Sequence, residues 1–193
     1  YLKLKRIAII PAVILTASMP TIVSANWTIK GLGTLDGTTS EAYGINNSGQ
    51  VVGVSGGRPF ITGTSGVGIT SLDTPGSTGE ASGITDSGQV VGWTYSAGNT
   101  TRHAFITGAN GAGITTLGSA NGKDSPVTAI NNSGQVVGWS VANDGTANAY
   151  ITSQDGMGMA TLGAPGTKDR SIFPLAINAT GQVAGYTWIN GGA

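Results

Sequence analysis

The chain has 193 residues; 9% are charged, with 9 basic residues against 9 acidic ones and a formal net charge of +0. That balance leaves no basic footprint for nucleic acid, and the absence of cysteine removes disulfides and thiolate metal sites. A hydrophobic fraction of 39%, spread in short β-type runs among 33 glycines, is too high for a disordered chain and allows one domain with a real core.

The first 25 residues stand apart. Lys3, Lys5 and Arg6 form a basic start, Ile7 to Met19 is apolar except for Pro11, Thr16 and Ser18, and Val23-Ser24-Ala25 offers small residues for a signal peptidase. The apolar run is shorter than the roughly 20 residues of a membrane span. Residues 1–25 are therefore expected to be a secretory signal peptide, cut between Ala25 and Asn26. The remainder, mildly acidic without the leader, is expected to form one repeat domain over 26–193. Because the chain opens on Tyr1 and stops at Ala193 inside a repeat, it reads as a fragment of a longer frame, whose missing C-terminal part is where an anchor or a further domain would lie.

From Trp27 onward the chain is spaced by one recurring stretch. Ile45 to Gly53 reads Ile-Asn-Asn-Ser-Gly-Gln-Val-Val-Gly; close copies start at Ile84 and Ile130, and a looser one at Ile177. Two apolar runs flank Asn, Asp, Ser and Gly, residues that bond back to nearby backbone or accept positive φ, so each copy predicts a β-hairpin. Two further motifs keep step. An aromatic-Ile-Thr run carries Phe60, Phe105 and Tyr150, each 45 residues after the last, and a strand-like run ends on Leu72, Leu117 and Leu162. The Gln positions 50, 89, 135 and 182 are 39, 46 and 47 apart, so length varies in the connections.

One unit thus reads as four short strands, clearest as Glu80 to Ile84, Gln89 to Tyr95, His103 to Thr107 and Ile114 to Leu117, with turns at Asp86–Gly88 and Gly108–Gly113. Four strands in about 45 residues match one blade of a β-propeller. The expected fold is all-β: repeats of four short antiparallel strands in an incomplete, propeller-like array, approximately 38–72, 78–117, 125–162 and a truncated 171–193. A β-solenoid is the alternative. In the second strand, Val91, Trp93 and Tyr95 share one face and Val90 and Gly92 the other; neither face is polar, so both are expected to be covered. Glycines there and in the first strand are expected to let neighbouring sheets approach closely. Trp93, Trp139 and Trp188 are read as one repeat position, whose rings pack between blades or, alternatively, form a platform for sugar.

With its His103-Ala104-Phe105 triplet, its Ser-Gly-Gln-Val-Val-Gly hairpins and the Thr-Leu-Gly strand, the chain resembles the bacterial HAF-repeat extracellular proteins over roughly Trp27 to its end. The triplet is intact once; the other copies read Arg58-Pro59-Phe60 and Asn148-Ala149-Tyr150. The resemblance implies secretion or surface display, in some members with an autotransporter barrel or a C-terminal sorting tail, and it carries no catalytic residue.

The chemistry-bearing residues form no constellation. His103 is the sole histidine, and its equivalents are Pro59 and Asn148. Gly53-Val54-Ser55-Gly56-Gly57 matches a nucleophile-elbow pattern without a strand-to-helix turn. Gly108 to Gly113 lacks the lysine and helix of a phosphate loop, and the Asp residues, Asp124 among them, are scattered singly rather than gathered as calcium ligands. No catalytic, cofactor or metal residue is therefore expected. The expected function is that of a secreted or cell-surface binding or structural module without enzymatic activity. The alternatives are a lectin-like carbohydrate-binding module and a fragment of an extracellular enzyme whose site lies in missing sequence. The expected partner is a surface glycan or protein, not nucleic acid, with membrane contact only through the signal peptide or a missing C-terminal anchor. Because the repeated residues already have structural work, contacts are expected on the variable connections, with Tyr95, Arg102, Asn143 and Asp144 as the candidates.

Overall fold

The computed structural model describes residues 13–16, 28–72, 78–95, 98, 101–118, 124–143, 145–154, 156–163 and 170–189. The expected leader thus falls almost wholly outside the described residues, as does Asp144. The strands are β1 (Val13–Thr16), β2 (Thr28–Gly31), β3 (Ser40–Ile45), β4 (Val51–Ser55), β5 (Arg58–Thr62), β6 (Ile69–Ser71), β7 (Gly79–Ile84), β8 (Val90–Tyr95), β9 (Arg102–Thr107), β10 (Ile114–Gly118), β11 (Val127–Ile130), β12 (Val136–Val141), β13 (Ala147–Thr152), β14 (Met159–Thr161), β15 (Arg170–Ile177) and β16 (Val183–Ile189). Among the described residues they form three four-stranded antiparallel sheets, β3–β6, β7–β10 and β11–β14, each in chain order. Two-stranded sheets β1–β2 and β15–β16 flank them in sequence. The fold is all-β, and its helical pieces among the described residues are two three-residue 3-10 turns, Thr64–Gly66 and Ala109–Gly111.

Local chemistry explains each unit. At the first hairpin the Asn46 Oδ1 accepts the N–H of Ser48 at 3.1 Å and of Gln50 at 3.0 Å, while Gly49 takes a φ of +72°. Asn131 and Asn178 repeat this arrangement. The amide Nδ2 of Asn46 donates to Gln50 Oε1 at 2.8 Å, which gives the repeated Gln a job as acceptor. Beside each hairpin a threonine hydroxyl at the end of the third strand takes the N–H of the first residue of the second strand. Val51 donates to Thr62 Oγ1 at 2.9 Å, Val90 to Thr107 at 2.8 Å and Val136 to Thr152 at 2.9 Å. The Ile-Thr pair recurs because those N–H groups are buried and need a partner.

The core lies between sheets. Val52, Ile61 and Leu72 of one unit pack on Ala81, Val90 and Phe105 of the next, and Val91, Ala104 and Ile106 pack on Val127 and Val136 in the same way. Both faces of β8 are covered at its start, with Val90 and Val91 fully buried.

Two details of the sequence reading change. The second-strand glycines do not serve close approach of neighbouring sheets. A Cβ on Gly53, Gly92 or Gly138 would fall on the carbonyl oxygen of Glu41, Glu80 or Pro126 of the same sheet, where the first strand bulges. Gly44 and Gly83 of the first strand are the close-approach positions: a Cβ on Gly83 would sit 3.2 Å from Ile130 Cγ2 in the next sheet. The ladder register also corrects the tryptophan alignment. Glu80 pairs with Trp93 and Phe173 with Tyr186, so Tyr186 is the equivalent of Trp93 and Trp139, and Trp188 matches Tyr95. The position follows from counting one residue past the second-strand glycine.

Candidate functional site

An up-and-down meander puts its connections at two ends. The β3–β4, β7–β8, β11–β12 and β15–β16 hairpins share one end. The last residues of β4, β8 and β12 and the first of β5, β9 and β13 share the other.

At the hairpin end the side chains are spent on one another. Asn46 Nδ2 donates to the Thr85 carbonyl of the next unit at 3.0 Å, and Asn131 Nδ2 donates to the Asn178 carbonyl at 2.9 Å. Asp86 accepts the N–H and the amide of Asn47 at 3.0 and 2.9 Å on one side and the amide of Asn132 at 2.7 Å on the other. Its own N–H donates to Asn132 Oδ1 at 2.9 Å. The Asn47 N–H is the main cause that holds the Asp86 carboxyl below its ordinary value; desolvation opposes it, and the two Asn amides add to the lowering. The glycine-rich Gly108–Gly113 is part of this lacing, since Asn110 N–H donates to the Ser87 carbonyl at 3.3 Å and Gly111 N–H to that of Gly88 at 3.0 Å. Amides so engaged do not cradle a phosphate.

Near the opposite end lies a stripe of rings built by the period-2 alternation of the strands. Trp93 and Tyr95 project from one face of β8 with their rings edge to face, centroids 5.2 Å apart. Arg102 opens β9 directly across from Tyr95. Its guanidinium carbon lies 5.5 Å from the Trp93 ring centre and 5.2 Å from that of Trp139 in the next sheet, so one cation bridges two units through two aromatic faces. The edge of the same guanidinium meets Asp124: Nε donates to Oδ1 at 3.0 Å and to Oδ2 at 2.9 Å, Nη2 donates to Oδ2, and the Arg102 backbone N–H reaches Oδ1 at 2.7 Å. Beyond Trp139 the stripe continues through Phe173, edge to face at 5.3 Å, to Tyr186, stacked on Phe173 at 5.1 Å. Tyr186 and Trp188 are 45% and 66% exposed, so the stripe ends on an open apolar surface.

The structure joins two of the four sequence-predicted contacts, Tyr95 and Arg102, in this stripe. Asn143 is exposed in the β12–β13 connection, held by the Gly145 N–H to the Ala142 carbonyl at 3.0 Å. Asp124, Phe173 and Tyr186 were not singled out from sequence. Asp124 looks like one of several scattered acids, because its partner Arg102 is 22 residues away in the preceding unit.

Chemically, a guanidinium sandwiched between rings spends its donors on the Asp124 carboxylate. What the stripe presents is aromatic edge and face, suited to flat or C–H-rich surfaces. Ser55 is committed elsewhere: its hydroxyl donates to the Thr39 carbonyl and accepts the Leu35 N–H, both at 2.9 Å, with the residue 1% exposed. The Gly-x-Ser-x-Gly match is thus turn structure. His103 is half-buried within β9, across from Thr94. Among the described residues no three His, Cys, Asp or Glu side chains gather as a metal cluster. No protein-family model matches the chain, and no curated protein matches it.

Proposed function

We propose that this chain is a secreted or cell-surface module of the HAF-repeat type that acts by binding or scaffolding, without chemistry of its own. The observation that carries this reading is the division of labour between the two ends. The repeated Asn, Gln and Thr side chains, with Asp86, are engaged in holding the hairpins in shape and the units together. The strand ends from which the connections of varying length and composition leave lie at the other end, beside the stripe of Tyr95, Trp93, Arg102 and Trp139. The basic and apolar residues of the first 25 positions support export.

The aromatic stripe favours a second reading of the same module, carbohydrate binding. Half-buried rings with a few polar groups beside them suit the apolar face of a sugar.

The test is a glycan array with the secreted chain, followed by matched variants. Asn143→Ala with Asp144→Ala should weaken binding while the melting temperature stays nearly unchanged. Asn132→Ala, on the hairpin end, should keep binding while lowering stability. The reverse pattern puts the site on the hairpins. Turnover of glycoside or ester substrates by the wild-type chain would overturn the non-enzymatic reading.

A further inference from the structure

The segment that enters the third unit does more than connect it to the second. The Ser125 N–H donates to the Arg102 carbonyl at 3.0 Å, and Ser125 bridges His103 in parallel. On the other side the Trp139 N–H donates to the Pro126 carbonyl at 3.2 Å and the Val141 N–H to that of Asp124 at 3.0 Å. Residues 124–126 therefore splice β9 to β12, so two internal, four-stranded units share one stretch of sheet. Side chains alternate between its faces. Thr94, Ser125 and Ser140 are buried, while Trp93, Tyr95, Arg102, Asp124 and Trp139 are each half-buried. The rings thus stand on a packed floor.

The polar groups of this platform define what it can hold. Arg102 is committed to Asp124. The indole N–H groups of Trp93 and Trp139 and the Tyr95 hydroxyl make no hydrogen bond among the described residues. One acceptor joins these donors: Glu80 pairs directly with Trp93 across β7 and β8, is half-buried, and has a carboxylate without a hydrogen-bond partner among the described residues. Arg102 and Asp124 cancel, which leaves Glu80 as the unbalanced charge. That charge repels anions, and the Trp93 face that would hold a cation already holds Arg102. What fits is an uncharged ligand with C–H surface for the rings, oxygens to accept from the indole and phenol groups, and hydroxyls to donate to Glu80.

We infer that the platform binds a neutral hexopyranose glycan, with Glu80 accepting its hydroxyls and excluding uronic acids. This rests on the carbohydrate reading above and adds to it the charge class of the sugar and the residue that sets it. A proline-rich peptide also brings C–H surface and acceptors, but it has no donor for Glu80, so the free carboxylate favours the sugar.

The test titrates the full chain with cellotetraose, maltotetraose and mannotetraose, with tetragalacturonate, and with decaproline, reading tryptophan fluorescence and backbone amide shifts. The expected result is saturable binding of a neutral tetrasaccharide with shifts at 93–95, 102 and 139, and affinity at least about tenfold weaker for tetragalacturonate. Glu80→Gln keeps the size of the side chain and removes its charge. It should weaken the neutral sugar about fivefold, because a charge-assisted bond becomes a neutral one, and narrow its advantage over the uronate, with the urea midpoint nearly unchanged. Tetragalacturonate bound as tightly as the neutral sugars, or a ratio that Glu80→Gln does not move, overturns this inference and leaves the carbohydrate reading standing. Saturation by no tetrasaccharide up to millimolar concentration overturns both. Tighter binding of decaproline, indifferent to Glu80→Gln, overturns the inference in favour of a peptide ligand.

Discussion

At the scale of single residues, the second hairpin is the odd one. Where the other copies have Asn46, Asn131 and Asn178, it has Thr85, whose hydroxyl accepts the Gln89 N–H at 3.0 Å but brings no amide to reach Gln89 Oε1 or the carbonyl of Asn131 in the next unit. Thr85→Asn should add both bonds in a site built for them twice elsewhere, and raise stability by about 1 kcal/mol, measured by urea unfolding. A lower urea midpoint would show that the buried pocket around Thr85 does not accept the longer side chain. Asp86, next to it, carries the pH dependence. Its folded value lies below the ordinary 3.8, so its contribution is present above the unfolded value and is lost as pH falls through the folded one. The stability difference between wild type and Asp86→Asn should be flat above that range and shrink in more acidic solution. A difference that grows on acidification contradicts the assigned hydrogen bonds.

At the scale of elements, the sheets meet through two devices: the apolar face between units and the Arg102 bridge. Lysine at 102 would keep the charge and lose both the flat faces that Trp93 and Trp139 cover and the fork that Asp124 receives. Arg102→Lys is therefore expected to cost about 1–2 kcal/mol, mostly from the ring contacts, because ion pairs this open to water contribute about 1 kcal/mol or less. A double-mutant cycle with Trp139→Leu separates the two. Coupling near zero would mean that the guanidinium merely rests on the ring.

At the scale of the whole molecule, stability in a repeat array is a sum of units and of the faces between them. The β7–β10 sheet has a four-stranded neighbour packed on each side, while the described part of the fourth unit is two strands with one outer edge bare of a third. Amide exchange should therefore be slowest in β8 and β9 and fastest, among paired strands, in β16. Protection in β16 equal to that in β8 would contradict this additive picture.

The sequence by itself determined the unit. Asn-x-Ser-Gly-Gln sets a hairpin because its side chains and its glycine act within five residues. The alternation in Val90 to Tyr95 sets a strand covered on two sides, and the expected strands of 80–117 match β7 to β10 within a residue at each end. Those are local effects, and local chemistry can be read along the chain. Tertiary structure decided what depends on neighbours in space. The second-strand glycines serve a bulge in their own sheet, not an approach between sheets, because the bulge is a feature of the partner strand. Tyr186, not Trp188, joins the Trp93 and Trp139 position, because register counts from the glycine rather than from the residue type. Arg102 finds Asp124 and Trp139 only when two units stack.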